Sequence, residues 1–356
     1  MITARESEIL KILKEDPLIS QNELAEQLQI TRASAATHIH NLTKKGYIKG
    51  RGYILSEPAF ISVIGGINMD VFGISNETLI DQNSNPGKIT FALGGAGRNI
   101  ALNLTKLGVS NYFISVFGND VNGEIFVTDS AENNMDITHC ELIEGERTST
   151  YLYVNEPNGQ VKIGIDDMDI LKKITPEFLN NKLELINSSQ YCIVDTNIPK
   201  ESIEWLCDHC KVPIIIKTVS INKNYKVMTK LDKIHTLIIS HKELMQLTEL
   251  NTIEQATNFL LDKGVKHVIV YSPNHQQLHF QDSETSLTIE RKIDRIANTN
   301  GAKAALTATI TWGLMQQMNW KDILEYAYNA AVHCMDTYDA VNTKLSVAVL
   351  ERETKA

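Results

Sequence analysis

The stretch NTNGAKAALTATITWGL, Asn298 to Leu314, decides the fold because a glycine turn in it opens directly into an apolar helical pattern. The small and apolar residues that follow Gly301 favour a helix. A helix that begins at such a turn presents backbone N–H groups to an anion. The sequence therefore predicts an anion-binding turn, in which Ala302, Lys303 and Ala304 follow the glycine and no carboxylate is present.

Short apolar runs alternate with helical patterns from Ala59 onward. FISVIG, NYFISVFG, YCIVD, VPIIIK, HTLIIS and HVIVY are typical of strands, whereas GRNIALNLTKLG and WKDILEYAYNAAVHCM are typical of helices. Such alternation predicts an α/β fold with a parallel sheet and helices on both faces. The segment TSTYLYVNEPNGQVKIGI predicts a hairpin around Asn158 and Gly159, which would form a lid over the strand ends.

Two further stretches carry polar groups close to strand ends. IGGINMD leaves the first strand and places Asn68 and Asp70 at its carboxyl end, where α/β sheets bind ligands. SNPGKITFALGGAGRNIALNL has Gly94 and Gly95 in a tight turn, followed by a helix with Asn99 in its first turns. These side chains are candidates for binding a small polar ligand.

Together the three stretches resemble the PfkB family of ribokinase-like carbohydrate kinases over essentially all of residues 59–350. Within that family the resemblance is greatest to pseudouridine kinase, through SNPGKI before the Gly-Gly turn, VDTNIP, and GIDDMDI after the lid. The resemblance implies a doubly wound, mainly parallel sheet with a small β lid.

The resemblance also implies ligand-binding roles. The ribose hydroxyls of a nucleoside or sugar would be held by Asn68, Asp70, Gly94, Gly95 and Asn99. Lys88 and Asp167 would lie near the base end of a nucleoside. Structural alternatives remain, since Asp70 and Asn99 can serve turns and helix caps, and Lys88 can be a solvated loop lysine.

The catalytic turn departs from the family pattern. Family members end this turn in Gly-Ala-Gly-Asp, whose aspartate takes a proton from the sugar hydroxyl while the N–H groups neutralise the moving phosphoryl group. Gly301 and Ala302 are kept, but Lys303 and Ala304 stand where glycine and aspartate belong, so that no catalytic residue is intact. Loss of a positioned base costs about 10²- to 10⁴-fold in rate.

Three more departures affect the nucleotide and magnesium side. The family's Asn-x-x-Glu, which organises magnesium, is Ser240 to Glu243. The segment SPNHQQLHF contains no glycine where nucleotide phosphates should approach the backbone, and an expected Asp-Pro is Lys217-Thr218. We therefore expect a domain that recognises a nucleoside or sugar and does not phosphorylate it.

The first 57 residues form a separate pattern. Helical spacing predicts a first helix from about Ala4 to Lys14, and Ser20 with Glu23 forms a capping box that opens a second. Thr31 caps a third helix that ends at Gly46, and YIKGRGYIL follows as two short β segments. This order resembles the winged helix-turn-helix of bacterial transcriptional regulators, and it divides the chain into domains 1–57 and 58–356.

Basic residues dominate the second half of the N-terminal domain. Residues 31–51 hold five Lys or Arg and no Asp or Glu, the pattern expected where a helix and a wing meet DNA phosphates. The expected base readers are Arg32, Ser34, Thr37 and His38, and the expected backbone contacts are Lys44, Lys45, Lys49 and Arg51. Since one such module reads a half-site, a homodimer is expected. The alternative is a dimerisation or packing module with solvated charges.

Composition sets broad limits. Hydrophobic residues at 43% and charged residues at 22% are ordinary for a globular protein, and no apolar run approaches the roughly 20 residues of a membrane span. Without a signal-like N-terminus, the expected location is cytoplasmic. Five scattered cysteines argue against a disulfide framework, and Cys207 and Cys210 are expected to be structural rather than metal ligands.

The leading hypothesis is a transcriptional regulator that senses pseudouridine, another nucleoside or a ribose-like sugar. The retained turn with Lys303 also allows a phosphorylated effector. The rival hypothesis is an active kinase, dependent on ATP and Mg²⁺, that carries a DNA-binding extension and uses another base such as Asp294 or a water. A third hypothesis assigns the N-terminal module to protein contacts.

Overall fold

The computed structural model describes residues 2–48, 59–157, 161–272, 276–292, 299–337 and 339–355. The chain folds into two compact units, Met1–Ala59 and Phe60–Ala356. None of the described helices combines the length and apolar character that spanning a lipid bilayer requires. All five cysteines are free thiols, and Cys207 and Cys210 lie at the end of a helix.

Three helices make up most of the described N-terminal unit: α1 (Ala4–Glu15), α2 (Gln21–Gln27) and α3 (Arg32–Lys44). Each helix begins after a residue whose side-chain hydroxyl accepts a hydrogen bond from a first-turn N–H: Thr3 for α1, Ser20 for α2 and Thr31 for α3. Glu23 completes the capping box at Ser20. The three predicted helices are therefore confirmed. Their apolar faces share a small core that includes Ile9, Leu13, Leu24, Ala35 and Leu42. The predicted wing falls mostly in residues 49–58, outside the described residues.

The larger unit alternates strands and helices, as predicted. In chain order its described strands are β1 (Ile61–Ile64), β2 (Asn68–Ser75), β3 (Gly87–Gly94), β4 (Asn111–Ile114), β5 (Val116–Gly118), β6 (Glu141–Ile143), β7 (Thr150–Asn155), β8 (Val161–Asp167), β9 (Tyr191–Asp195), β10 (Ile214–Lys217), β11 (Ile234–Ser240), β12 (His267–Ser272), β13 (Gln277–Gln281) and β14 (Ser286–Glu290). The described helices are α4 (Ala96–Lys106), α5 (Val121–Glu132), α6 (Pro176–Asn180), α7 (Leu183–Ser188), α8 (Lys200–His209), α9 (Ile221–Asn224), α10 (His241–Thr248), α11 (Ile253–Asp262), α12 (Ala302–Met315), α13 (Trp320–Met335) and α14 (Val347–Lys355).

The central sheet has the strand order β14-β13-β12-β11-β10-β9-β1-β4. The strands from β12 to β4 are parallel, and β13 and β14 add an antiparallel edge. Because side chains alternate along a strand, Ile193 packs in one core with α4, α12 and α13, whereas the adjacent Val194 packs in the other with α8, α10 and α11. This arrangement confirms the predicted doubly wound fold.

A second sheet, the lid sheet, has the order β3-β2-β7-β8. The predicted hairpin is confirmed by the antiparallel pairing of β7 with β8, although residues 158–160 at its turn are not described. Cross-strand partners form a row of Phe91, Val71, Leu152 and Ile165, and the next row is Ala92, Asp70, Tyr151 and Asp166. Because side chains alternate, these two rows lie on opposite faces of the lid sheet.

Candidate functional site

A cavity of about 560 Å³ lies beside the lid sheet, in the size range of roughly 300–1,000 Å³ that is usual for small-molecule sites. It brings together residues that are distant in the chain. From the predicted site it contains Asn68, Asp70, Gly95, Asn99, Gly301, Lys303 and Ala304, and further lining side chains come from Tyr151, Asp166, Asn197, Lys217 and Lys223.

The hydroxyl cluster, which we define as Asn68, Asp70, Gly95 and Asn99, has unsatisfied polar atoms. Asn68 Nδ2 donates to Asp70 Oδ1 at 2.8 Å, while the buried Oδ1 of Asn68 has no hydrogen-bond partner in the described residues. Burial raises the pKa of Asp70 to about 6, although Asn68 and Arg98 oppose that rise. A ligand hydroxyl could donate to one oxygen and accept from another group, and so satisfy this cluster.

The Gly-Gly turn permits the close approach of β2, β3 and α4. A Cβ atom at Gly94 would lie 2.4 Å from Asp70 Oδ2. One at Gly95, whose φ is +96°, would lie 2.4 Å from the carbonyl oxygen of Gly66. Both positions therefore require glycine, and the turn holds Asp70 against the start of α4.

The turn before α12 has the predicted form. Gly301 is the N-cap with φ +84°, and a Cβ there would lie 1.8 Å from the carbonyl oxygen of Ala340. The N–H groups of Ala304 and Ala305 return to the Gly301 carbonyl at 2.8 and 2.9 Å. Earlier N–H groups of the helix have no intrahelical acceptor, so this end attracts anions. The buried Ala304 contributes only a methyl group to the cavity.

Lys303 pairs with a carboxylate from another helix. Its Nζ lies 2.6 Å from Glu243 Oε2, which also accepts from Thr218 Oγ1 at 2.7 Å and from the Ser240 N–H at 2.8 Å. The side chains of Lys303 and Glu243 are 15% and 5% exposed. Burial alone raises the pKa of Glu243, but the charge of Lys303 and these hydrogen bonds outweigh it and bring the pKa to about 2. Glu243 is therefore ionised at neutral pH.

Lys217 ends β10 inside the same cavity and is only 7% exposed. Within the described parts of the chain, no hydrogen bond or ion pair engages its Nζ. Burial and the charge of Lys303 lower its pKa to about 8, against the opposing effect of Asp195 and Glu243. Together Lys217, Lys303, Glu243 and the first turn of α12 form the cationic cluster. The sequence marked Lys217 only as a departure from the family pattern.

Lys88 and Asp167 are not brought into the cavity. Asp167 lies one residue after Asp166 on β8, hence on the opposite face of the lid sheet, where it lines a separate groove. Lys88 is exposed and pairs with Ile74, four residues along β2 from Asp70, or about 14 Å at ~3.4 Å per residue. Strand alternation could have selected Asp166 in place of Asp167.

A larger groove of about 700 Å³ lies beside α4 and α5. It contains none of the residues predicted to bind a ligand, and its Arg98 is ion-paired with Asp129. The smaller cavity is therefore the better candidate for ligand binding.

The predicted DNA-reading face of α3 is partly available. Arg32, Thr37 and Lys44 are exposed, and Ser34 and His38 are half-buried. Lys45, by contrast, donates from Nζ to both carboxylate oxygens of the buried Glu6 at 2.8 and 2.7 Å. Lys49 and Arg51 lie outside the described residues.

Comparison with known proteins agrees with both folds. Residues 58–344 match the family model of the pfkB family carbohydrate kinases, and residues 3–49 match a model described as winged helix-turn-helix DNA-binding. The chain therefore belongs to the PfkB family and carries an N-terminal winged helix-turn-helix domain.

Individual relatives extend the similarity. The chain is 33% identical over 335 residues to the uncharacterized sugar kinase YeiI of Escherichia coli, covering 92% of each chain. It is 29% identical over 302 residues to the pseudouridine kinase of the same species, covering 83% of this chain and 96% of that one. A carbohydrate kinase structure from Agrobacterium tumefaciens superposes with a TM-score of 0.70 at 23% identity, covering 84% of this chain and 97% of that one, which supports the fold alone.

The Lys303–Glu243 pair predicts a large stability effect. Lys303→Met would leave Glu243 buried without its cation, and we expect the free energy of unfolding at pH 7 to fall by about 3–5 kcal/mol in urea denaturation. The matched control Lys303→Met/Glu243→Gln should recover much of the loss, because no unpaired charge remains. A loss below about 1 kcal/mol, typical of a surface pair, would contradict this assignment.

The same pair fixes the sign of the pH dependence. Because the pKa of Glu243 is about 2 in the folded chain and ordinarily 4.5, the stability it contributes is present above pH 4.5 and is lost as pH falls towards 2. The difference between wild type and Lys303→Met should therefore shrink on acidification.

Proposed function

We propose that the protein is a DNA-binding transcriptional regulator whose PfkB domain binds a small nucleoside or sugar without phosphorylating it. One observation carries the proposal: Lys303 pairs with Glu243, the carboxylate that the family uses to organise magnesium. The hydroxyl cluster, in the same cavity, keeps the residue types of the family's sugar site. In this proposal the domain can bind its ligand without transferring a phosphoryl group to it.

Magnesium, which PfkB kinases use with ATP, does not fit the residues present around Glu243. One oxygen of Glu243 already accepts three hydrogen bonds, one of them from an ammonium group. Mg²⁺ binds through carboxylate oxygens in near-octahedral geometry, and a fixed ammonium beside that carboxylate repels it. Among the described residues, no group of three or more His, Cys, Asp and Glu is arranged to hold a metal.

A general base is also missing at the expected position. The methyl group of Ala304 cannot accept a proton, and α12 offers no carboxylate in its first turn. Asp294, the alternative that the sequence offers, lies outside the described residues. Without a base, phosphoryl transfer at this cavity would be slower by about 10²- to 10⁴-fold, whereas binding energy can still stabilise a conformation.

The lid sheet supplies a route from ligand to conformation. Lys223 Nζ lies 3.0 Å from Asp166 Oδ2 on β8, and Asn300 Nδ2 donates to Tyr153 Oη on β7 at 2.9 Å. These contacts join the lid to α9 and to the turn before α12. A ligand that contacts both the lid sheet and the central-sheet side of the cavity binds more tightly when the lid is closed over it. Such a ligand therefore shifts the population towards the closed conformation. In our proposal this shift changes how paired DNA-binding domains are presented.

The winged helix-turn-helix domain supplies the output. The phosphorylation of a sugar does not require DNA, whereas a transcriptional regulator needs a surface that binds DNA. Helix α3 exposes Arg32, Thr37 and Lys44, which could form such a surface. The rival function, a pseudouridine-type kinase with a DNA-binding extension, is favoured by the similarity to the E. coli pseudouridine kinase. The two proposals differ in whether ligand is converted.

Turnover separates these functions. With ATP, Mg²⁺ and pseudouridine, we expect the full chain to release ADP at least about 10²-fold more slowly than the 1–100 s⁻¹ usual for kinases. Turnover should be slow because the methyl group of Ala304 cannot accept a proton and because Glu243 is already bound to Lys303. The matched variant is Lys303→Gly/Ala304→Asp, which restores the family turn and frees Glu243, and should be faster than wild type. Wild-type turnover within the ordinary range would refute the sensor proposal.

DNA binding is expected to depend on Lys44 more than on Lys45. Each phosphate contact contributes about 0.9 to the slope of log affinity against log salt concentration. Lys44→Ala should lower that slope by about 0.9 in fluorescence anisotropy with duplex from the gene's upstream region, because Lys44 is exposed. Lys45→Ala, the control, should keep the slope and lower the melting temperature, since Lys45 is bound to Glu6. Salt-independent or absent binding would contradict a DNA-reading role.

We also propose that a second copy of the chain covers the outer face of the lid sheet, by which we mean the face opposite the cavity. Adjacent rows on this face expose Ile89, Phe91, Leu152, Ile163 and Ile165, which are between 43% and 72% exposed. Contiguous apolar surface of this kind marks interaction sites. A winged helix-turn-helix domain reads one half-site, so a regulator requires two copies.

The proposed dimer can be tested at Ile165. Ile165→Asp places a charge on the outer face while Asp166 keeps its place on the cavity face, and we expect a dimer to become a monomer in analytical ultracentrifugation. Leu142→Asp, at an exposed apolar residue of β6 that lines neither groove beside the lid sheet, is the control and should leave the dimer intact. A wild type that sediments as a monomer at micromolar concentration would contradict the proposal.

A further inference from the structure

The cationic cluster contains a charge that the proposed sensor function does not use. Lys303 is neutralised by Glu243, at 2.6 Å. Lys217 is 7% exposed and lines the cavity, and in the described residues its Nζ has no hydrogen-bond or ion-pair partner. An unpaired buried ammonium is costly, so its presence beside a ligand cavity points to an anion that arrives with the ligand.

The N-terminus of α12 is the second component of the same site. This helix has 14 residues, its N-cap Gly301 lines the cavity, and its first N–H groups lack intrahelical acceptors. The macrodipole adds about half a positive charge at this end. A phosphate between the turn and Lys217 would accept backbone N–H bonds and pair with the ammonium at once.

We propose that the effector is a phosphomonoester of a sugar or nucleoside, with its hydroxyls at the hydroxyl cluster and its phosphate between Lys217 and the first turn of α12. This inference rests on the proposed sensor function and names the ligand class of that cavity. The Lys217 ammonium and the first turn of α12 replace the magnesium that a nucleotide would bring, and they suit a single phosphate group of about −1.5 to −2 charge. A reaction elsewhere, a phosphoryl transfer or the hydrolysis of a phosphodiester, would supply such an ester, because Ala304 cannot act as the base.

The two clusters occupy one cavity. Asn68, Asp70 and Asn99 line the same 560 Å³ as Lys217 and Lys303, so a single ligand can reach both. Asp70 disfavours a phosphate at the hydroxyl cluster because it is itself a carboxylate. The ester therefore has one favourable orientation, with its phosphate at Lys217 and the first turn of α12.

Paired titrations of the full chain test the proposal. Isothermal titration calorimetry would compare ribose with ribose 5-phosphate, and pseudouridine with its 5′-phosphate, in magnesium-free buffer at pH 7. We expect at least one ester to bind about 10- to 100-fold more tightly than its parent, the gain expected from charge-assisted hydrogen bonds. Inorganic phosphate alone should bind more weakly than that ester.

The variant Lys217→Met tests the contribution of the Lys217 ammonium group to ester binding. It should remove the 10- to 100-fold difference between ester and parent. Loss of an unpaired buried charge should not lower the melting temperature of the free protein, and circular dichroism would establish that the variant is folded. Lys217→Gln provides a second, polar replacement. Lys242→Met, at an exposed lysine of α10, is the matched control and should retain the difference.

The pH profile gives an independent readout. The charged groups that act on Lys217 are Lys303 on α12, Glu243 on α10 and Asp195 on β9. Because the pKa of Lys217 in the free protein is about 8, ester affinity should fall as pH rises above that value, and Lys217→Met should abolish the fall. A profile that is identical in wild type and Lys217→Met would overturn the role of Lys217.

Each remaining outcome is decisive. Equal affinity for ester and parent, or a preference that survives Lys217→Met, would overturn the phosphomonoester while leaving the sensor proposal intact. Inorganic phosphate that binds as tightly as the esters would make this a site for free phosphate and overturn the ester. If neither parents nor esters bind, both this inference and the sensor proposal fail.

Discussion

The ion pair between Lys303 and Glu243 is the interaction on which the chemistry of this cavity depends. A carboxylate that is 5% exposed must be compensated, and here the compensation comes from a lysine on α12 at 2.6 Å. The same carboxylate completes the capping box of α10 and accepts from Thr218 at the end of the sheet. The pair therefore links α10, α12 and β10 and, at the same time, occupies the carboxylate that PfkB kinases use with magnesium.

Glycine at two turns makes the cavity possible. Gly95 and Gly301 both have positive φ, and a Cβ at either would collide with a backbone carbonyl oxygen. Each turn starts a helix that packs in the same core, α4 and α12, and each brings a helix N-terminus to the cavity. Backbone geometry therefore gives the two turns of a PfkB-family fold, while the side chains on them, Lys303 and Ala304 among them, are those on which the proposed loss of phosphoryl transfer rests.

The lid sheet joins recognition to assembly because its two faces are chemically different. Asp70, Tyr151 and Asp166 face the cavity, whereas the neighbouring residues Phe91, Leu152 and Ile165 form an exposed apolar row. A movement of the lid that follows ligand binding would therefore move both surfaces together. That coupling would be the physical basis of the proposed sensor, because the cavity residues and the proposed dimer contact are one residue apart along each strand.

The sequence by itself determined the alternation of strands and helices, the caps at Ser20 and Thr31, and the two glycine turns, because each depends on local spacing and backbone preference. It also identified most of the hydroxyl cluster through the family resemblance. Only the tertiary structure showed that Asp166 rather than Asp167 faces the cavity, that Lys45 is held by Glu6, and that Lys303 reaches Glu243 across 60 residues. Those outcomes depend on which side chains are brought together by strand register and helix packing, and no local pattern encodes the distance between groups so far apart in the chain.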